Sequence, residues 1–169
     1  MKKVIFIILI TLISTSKFYS QNEYSMKIET GYLVFIDNTV QVDPGPDWKG
    51  YYINSDGFDL NIINGFKYNH KIFYGLGLGY LNFDSNSGVS IFGDFEYIPF
   101  DKKLSPIVDF KIGYSHLFNQ YENGTGTILT ELNIGGNIKL SDKGRLYIKS
   151  GIMLTQQASL IPISFGYRF

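Results

Sequence analysis

The 169-residue chain contains no cysteine. That removes disulfides, thiolate metal sites, a catalytic thiol and the lipidated cysteine of a bacterial lipoprotein. Tryptophan occurs once, histidine twice and proline five times. Basic and acidic residues balance at fifteen each, so no basic field points to nucleic acid. Beyond residue 20 no apolar run reaches the roughly 20 residues that a membrane helix needs. No apolar stripe of helical period is present there either. What is plentiful is phenylalanine (14), tyrosine (13) and glycine (18). Aromatic residues favour strands, and glycine marks turns or close packing.

The first twenty residues read as a targeting segment. Lys2 and Lys3 precede an apolar stretch from Val4 to Ile13, too short to span a bilayer, and small polar residues follow. Cleavage is expected near Ser20–Gln21, with export through the Sec pathway. The domain division is then a signal peptide at 1–20 and one folded domain at 21–169. Losing Lys2, Lys3 and Lys17 leaves that domain mildly acidic.

The rest alternates with period two. Eight segments carry the pattern: Tyr24–Ile36, Phe58–Tyr68, Ile72–Tyr80, Val89–Pro99, Pro106–His116, Ile128–Leu140, Leu146–Leu154 and Leu160–Phe169. Tight turns are expected at Asn69–His70, Asp101–Lys103 and Ser141–Gly144. Polar loops are expected at Asp84–Gly88, Asn119–Gly126 and Gln156–Ser159. The longest irregular stretch, Asp37–Gly57, holds Asp43-Pro-Gly-Pro-Asp-Trp48 and cannot be a central strand, because proline lacks the ladder N–H. Strands of about ten residues, joined alternately by short turns and more varied loops, fit a tilted bilayer crossing. A membrane protein without spanning helices must close its strands into a barrel. The fold class is therefore all-β: a closed, antiparallel, up-and-down transmembrane barrel of about eight strands.

One face of these strands is apolar and aromatic. The other holds Glu29, Asp59, Asp94, Glu96, Asp109 and Glu131 together with Lys27, Lys67, Lys111, Lys139, Lys149 and Arg168. It also holds glycines at 31, 65, 75, 77, 79, 113, 135, 151 and 166. A water-facing surface has no need of so many small residues, but a narrow lumen does, since charged side chains from opposite walls must fit side by side. We single out Glu29, Asp94, Glu96, Asp109, Lys111, Glu131, Lys149 and Arg168 as a lumen charge network. Lys111 is expected to reach Asp94 or Glu96, and Lys149 to meet Glu131 or reach across.

The last ten residues, Leu160-Ile-Pro-Ile-Ser-Phe-Gly-Tyr-Arg-Phe169, put Ile161, Ile163, Phe165, Tyr167 and Phe169 on one face. With the alternation, Gly75-Leu-Gly-Leu-Gly-Tyr80 and Ile112-Gly-Tyr-Ser115, this ending resembles small outer-membrane β-barrels of the OmpA/OmpX-like porin family. The resemblance implies an outer-membrane location, contact with outer-membrane lipids, and recognition of Phe165, Tyr167 and Phe169 by the barrel assembly machinery. It implies no activity. The expected state is a monomer without cofactor or metal, structural or interactive through its external loops, with Trp48 as a candidate contact.

Two rivals come from other classes. A periplasmic carrier of lipocalin type would turn the apolar face inward around a ligand. A lipid-modifying barrel enzyme would need a nucleophile beside a histidine, but Ser115 and His116 are strand neighbours and point to opposite faces. Asp84-Ser-Asn-Ser-Gly88 opens like a calcium loop but has Phe95 at the twelfth position, where a bidentate acid belongs. The glycines at 75, 77 and 79 enter no helix and form no dinucleotide fingerprint. One outcome follows from the closing strand: deleting Phe169 should lower the amount of folded barrel in outer membranes and raise misfolded periplasmic protein, as read by immunoblots of fractionated cells.

Overall fold

Alternating side chains over runs of ten or more residues leave the backbone one way to satisfy its hydrogen bonds, between strands. The computed structural model describes residues 22–38, 53–84, 86–118, 125–141, 144–155 and 158–169. The strands are β1 (Asn22–Asn38), β2 (Gly57–Tyr68), β3 (Ile72–Phe83), β4 (Asn86–Tyr97), β5 (Leu104–Leu117), β6 (Thr125–Lys139), β7 (Arg145–Thr155) and β8 (Ala158–Arg168). They form a closed barrel in chain order, and every neighbouring pair is antiparallel. The proposed signal peptide, Trp48 and most of the loop around it lie outside the described residues.

The seam between β1 and β8 closes the barrel, running from Lys27 opposite Arg168 to Asn38 opposite Ala158, with one irregularity between Phe35 and Asp37. Its terminus-side end is tied down twice. The Phe169 amide donates to the Met26 carbonyl at 2.9 Å, and the Ser25 hydroxyl donates to the Phe169 carbonyl at 2.6 Å.

Chain reversal between β2 and β3 uses Asn69 and His70 at φ 55° and 57°, the left-handed pair whose twist suits an antiparallel hairpin. The Lys71 amide donates back to the Tyr68 carbonyl at 3.2 Å. Between β3 and β4 the expected loop Asp84–Gly88 is corrected. Asn86, Ser87 and Gly88 pair with Phe83, Asn82 and Leu81, so β4 begins already at Asn86. Turn-forming side chains at 86–88 are overridden by ladder bonds to β3 and, at Gly88, to β5. At the other end of the chain Ser159, expected in a loop, lies in β8. Long connections on the loop side are therefore confined to residues 39–56 and 118–124.

Two prolines sit where a missing N–H does least harm. Pro106 lies beyond the last β4–β5 pair, Tyr97 with Val108. At Pro162 the β7–β8 ladder is interrupted between Ser150–Ile163 and Met153–Leu160.

The faces are inverted relative to a soluble protein. Leu76 is 71% exposed and Ile134 69%, whereas Lys27, Lys111 and Lys149 are at most 1% exposed. Aromatic rings follow one another across the outside: Tyr24, Phe66 and Tyr74 stand 6.2 Å apart in sequence, and Phe95 and Phe110 continue the row on the next strands. At roughly 25 cal/mol per Å² of apolar surface, such an exterior belongs in hydrocarbon. This overturns the lipocalin-like alternative, whose apolar face would enclose a ligand.

On the loop side, Asp56 pins the end of the first long connection to β1. Its carboxylate accepts from the Phe35 amide at 2.8 Å and from the Tyr32 hydroxyl at 2.7 Å. These two bonds, the backbone one foremost, hold the carboxyl below its ordinary value of 3.8. A depressed folded pKa means that the contact is complete above the unfolded value and is lost as pH falls through the folded one. The Phe35 amide proton shift should therefore titrate with a midpoint below 3.8 in NMR spectra of the micelle-bound protein, and Asp56→Asn should abolish that titration.

Candidate functional site: the barrel lumen

Period two sends the odd residues of β1 and the even residues of β4 and β8 inward. It also sends the odd residues of β2, β3, β5, β6 and β7 inward. Eight strands leave an interior just wide enough for side chains to fill. Here they do so in layers.

The middle layer is ionic. Lys27 from β1 crosses to the opposite wall and meets Asp94 at 2.7 Å, Glu96 at 3.2 Å and Asp109 at 3.5 Å. Lys149 from β7 meets Asp109 at 2.5 Å and Glu29 at 2.8 Å. Lys111 from β5 meets Glu29 at 2.5 Å and Glu131 at 3.1 Å. Arg168 from β8 pairs with Glu96. Asn133 stitches two acids together, donating to Glu131 at 2.5 Å and Asp109 at 3.2 Å, and the Tyr147 hydroxyl donates to Glu29 at 3.1 Å. Two aromatic faces cover the cations: Lys27 lies 4.5 Å from the Phe73 ring centre and Lys111 5.3 Å from that of Phe92. An unpaired charge here would be costly, so sharing each ammonium among two or three carboxylates is what makes burial tolerable.

On the loop side the lumen turns apolar. Leu33, Ile63, Leu81, Phe83, Leu117, Leu129, Met153 and Leu160 form one buried cluster, joined by Ile53 from the connection before β2. Toward the termini a smaller cluster of Ile98, Ile107 and Tyr147 closes the other side. Beyond it lies a mouth of about 610 Å³ lined by Glu23, Lys67, His70, Asp101, Lys139 and Arg145 among others. Arg145 is held there by Asp101 and by Asn137 at 2.8 Å.

Glycine supplies the room. The Phe92 ring lies where a side chain on Gly77 would be, and the Tyr147 ring lies over Gly166. Any larger residue at 77 or 166 would have to move a ring out of a filled lumen.

All eight charged residues singled out from the sequence point inward and are buried. The pairing differs from expectation at one of them. Asp94 and Lys111 are directly opposed on neighbouring strands, yet the Lys111 ammonium goes to Glu29 and Glu131 while Asp94 takes Lys27. Inner side chains on a small barrel project toward its axis, so a long lysine finds the far wall as readily as its neighbour. Lys149 reaches across to Glu29 and does not pair with Glu131. Asp59 is buried too, but its near partner is the Asn61 amide at 2.6 Å.

Lys27, on the inner face by alternation but outside the expected network, holds the central place in it. Arg145, one residue before the expected start of the seventh strand, is a further inner charge. Ser115 points inward and shares a hydrogen bond of 2.5 Å with Thr155, while the His116 ring packs against Phe118 at 5.2 Å; these two residues form no nucleophile–base pair. Phe165 on β8 and Phe169 just past its end are exposed, and Tyr167 packs edge-on against Phe169 at 4.6 Å.

No protein-family model matches the chain, and no curated protein matches it. Solved structures do. The chain is similar to Neisserial surface protein A, with a TM-score of 0.66 at 9% identity over 87% of this chain and 97% of that one. It is similar to the N-terminal β-barrel domain of OprF from Pseudomonas aeruginosa, with a TM-score of 0.54 at 13% identity over 88% and 100%. It is also similar to the outer membrane protein OprG from Pseudomonas aeruginosa, with a TM-score of 0.53 at 9% identity over 88% and 96%. At these identities the likeness is one of fold. The chain has the fold of small outer-membrane β-barrels, and its exterior is that of a membrane-spanning one.

The network makes a quantitative prediction. Glu29 keeps Lys149 and Tyr147 when Lys111 is removed, but Glu131 loses its only cation among the described residues. Lys111→Met should cost roughly 3–5 kcal/mol in denaturant unfolding of the barrel, the range for stranding one member of a buried pair. Glu131→Gln in that background should recover part of the loss, and Asp94→Asn should not.

Proposed function

We propose that the protein is an outer-membrane barrel with a closed lumen, acting as a structural element or through its loop-side surface. Its long connections would face outward and both termini the periplasm. The observation that carries this reading is the layered filling. Paired charges span the lumen from β1 to β4, β5 and β7, and an apolar cluster caps them. A conduit needs a continuous polar path, and the buried cluster that includes Leu33, Leu81, Leu117 and Leu160 supports a lumen closed at its loop side.

Supporting observations come from the chain itself and from its likeness. Residues 1–20 have the form of a cleaved export signal, after which the domain would reach the outer membrane as a monomer through the barrel assembly machinery. Phe165, Tyr167 and Phe169 are outward on the closing strand, where that machinery could read them. One protein of the same fold is named a surface protein. The first long connection carries Trp48, a stiffly flanked aromatic of the kind that anchors partners. Among the described residues Ser115 and His116 do not face each other, and the role we propose is a non-catalytic one.

Planar-bilayer recording tests the closed lumen. Purified, folded protein should insert without steady conductance, while folded protein should fractionate with outer membranes and migrate faster than boiled protein in mild-detergent gels. Large, stable, ion-selective currents from the wild type would replace the closed barrel with a pore.

A further inference from the structure

Almost every glycine in the described barrel is there because protein atoms occupy the space a side chain would need. Two are not. At Gly93 on β4 and Gly136 on β6 the missing side chain would point outward, and its nearest neighbours would be the Ile112 carbonyl at 3.8 Å and the Ser105 carbonyl at 3.9 Å. Ordinary contact distances of this kind leave space for a larger residue. On a face built otherwise of Leu, Ile, Phe and Tyr, an open notch forfeits contact with hydrocarbon unless something lies in it.

Gly93 sits in such a notch. It lies in an outward groove of about 610 Å³ walled by Phe66, Tyr74, Leu76, Phe95, Phe110 and Ile112. The groove continues past Asn64 and Leu76 into a second, of about 510 Å³, along Leu60, Ile62, Leu78 and Ile91. Volumes of this size match small-molecule sites. Gly136 lines neither groove. The outward side chains around Gly93 carry no charge. One polar handle stands among them: Asn64 is exposed on the apolar face, its carbonyl oxygen accepts from the Tyr24 hydroxyl at 2.7 Å, and its amide nitrogen has no acceptor among the described residues. An amide donor facing hydrocarbon needs a partner.

We propose that this groove is a phospholipid site: one acyl chain lies along it over Gly93, and an ester carbonyl of the same lipid accepts a hydrogen bond from the Asn64 amide. The site rests on the membrane-barrel reading and adds a defined lipid position to it. Asn64 lies four residues before the end of β2 at Tyr68, which assigns the lipid to the leaflet on the terminus side. A second copy of the chain fits less well. A two-fold contact sets the same patch against itself, and a groove against a groove leaves a void where a stable interface of at least roughly 1,200 Å² needs packed surface. A flexible hydrocarbon chain fills the same concavity without that conflict.

The test compares the two open glycines. Wild type, Gly93→Leu, Gly136→Leu and Asn64→Leu would be reconstituted in nanodiscs of a synthetic diacyl phosphatidylethanolamine, checked for the folded gel shift, and released for native mass spectrometry. Wild type and Gly136→Leu should each retain one phospholipid at energies that strip the rest. Gly93→Leu should lose it, and Asn64→Leu should lower its retention. Equal retention by Gly93→Leu, or equal loss by Gly136→Leu, would overturn the site. A dimer abolished by Gly93→Leu would overturn it in favour of a second copy.

Wild-type protein crosslinked with a phosphatidylethanolamine carrying a photoreactive acyl chain gives an answer that does not depend on any variant folding. Label should concentrate on peptides of β2 to β5, and label spread evenly around the barrel would overturn the proposal. Failure of the wild type to give the gel shift or enter nanodiscs would instead refute the membrane barrel itself.

Discussion

Three lysines inside an eight-stranded barrel set the terms for everything else. An ammonium out of water is tolerable only if carboxylates surround it at hydrogen-bonding distance. No single neighbouring strand supplies enough of them, so Lys27, Lys111 and Lys149 draw acids from facing walls. That requirement explains the inner glycines, since charged side chains reach the axis only if other positions along the wall stay small. It also explains the amides and the phenol of Tyr147, which take up oxygen lone pairs that the lysines leave over. The ionic layer is thus a set of struts across the lumen, with β1 at its hub through Lys27 and Glu29.

The same geometry separates two solvents. Outside, side chains as large as Phe, Tyr and Leu face hydrocarbon. Inside, the paired charges of the middle layer lie between two buried apolar clusters, the larger on the loop side. Each surface would be unstable in the other's place. A one-residue slip of any strand would exchange them, so the pattern specifies register as strongly as it specifies fold.

Period two made most of this legible in the sequence. A strand with Lys27, Glu29 and Gly31 on one side and Ile28, Thr30 and Tyr32 on the other can be read without coordinates, and so can the need for closure. Two things could not be read that way. Strand ends depend on ladder bonds that outweigh local turn preference, as at Asn86–Gly88, and a start placed one residue late hid Arg145. Partner choice across the lumen depends on how far a side chain reaches from its wall, which sequence adjacency does not encode; Asp94 and Lys111 face each other and pair elsewhere. The apolar cluster left a trace: around Tyr32-Leu33-Val34-Phe35 both faces become apolar, the mark of a strand end with hydrocarbon on one side and a buried apolar cluster on the other.

The hub position of β1 bears on how such a barrel comes together. Lys27 finds its acids 67 to 82 residues later in the chain, and Glu29 is met by the Tyr147 hydroxyl across 118 residues. Residues 94–168 bring pairs of their own, Lys111 with Glu131, Lys149 with Asp109 and Arg168 with Glu96, so it is Lys27 and Glu29 on β1 that depend on walls formed much later in the chain. A partly formed sheet must keep these groups hydrated, because dehydration before the last walls arrive would strand charge. On the closed-lumen reading, drying of the interior around Lys27 and Glu29 and sealing of the β1–β8 seam would be a single cooperative event.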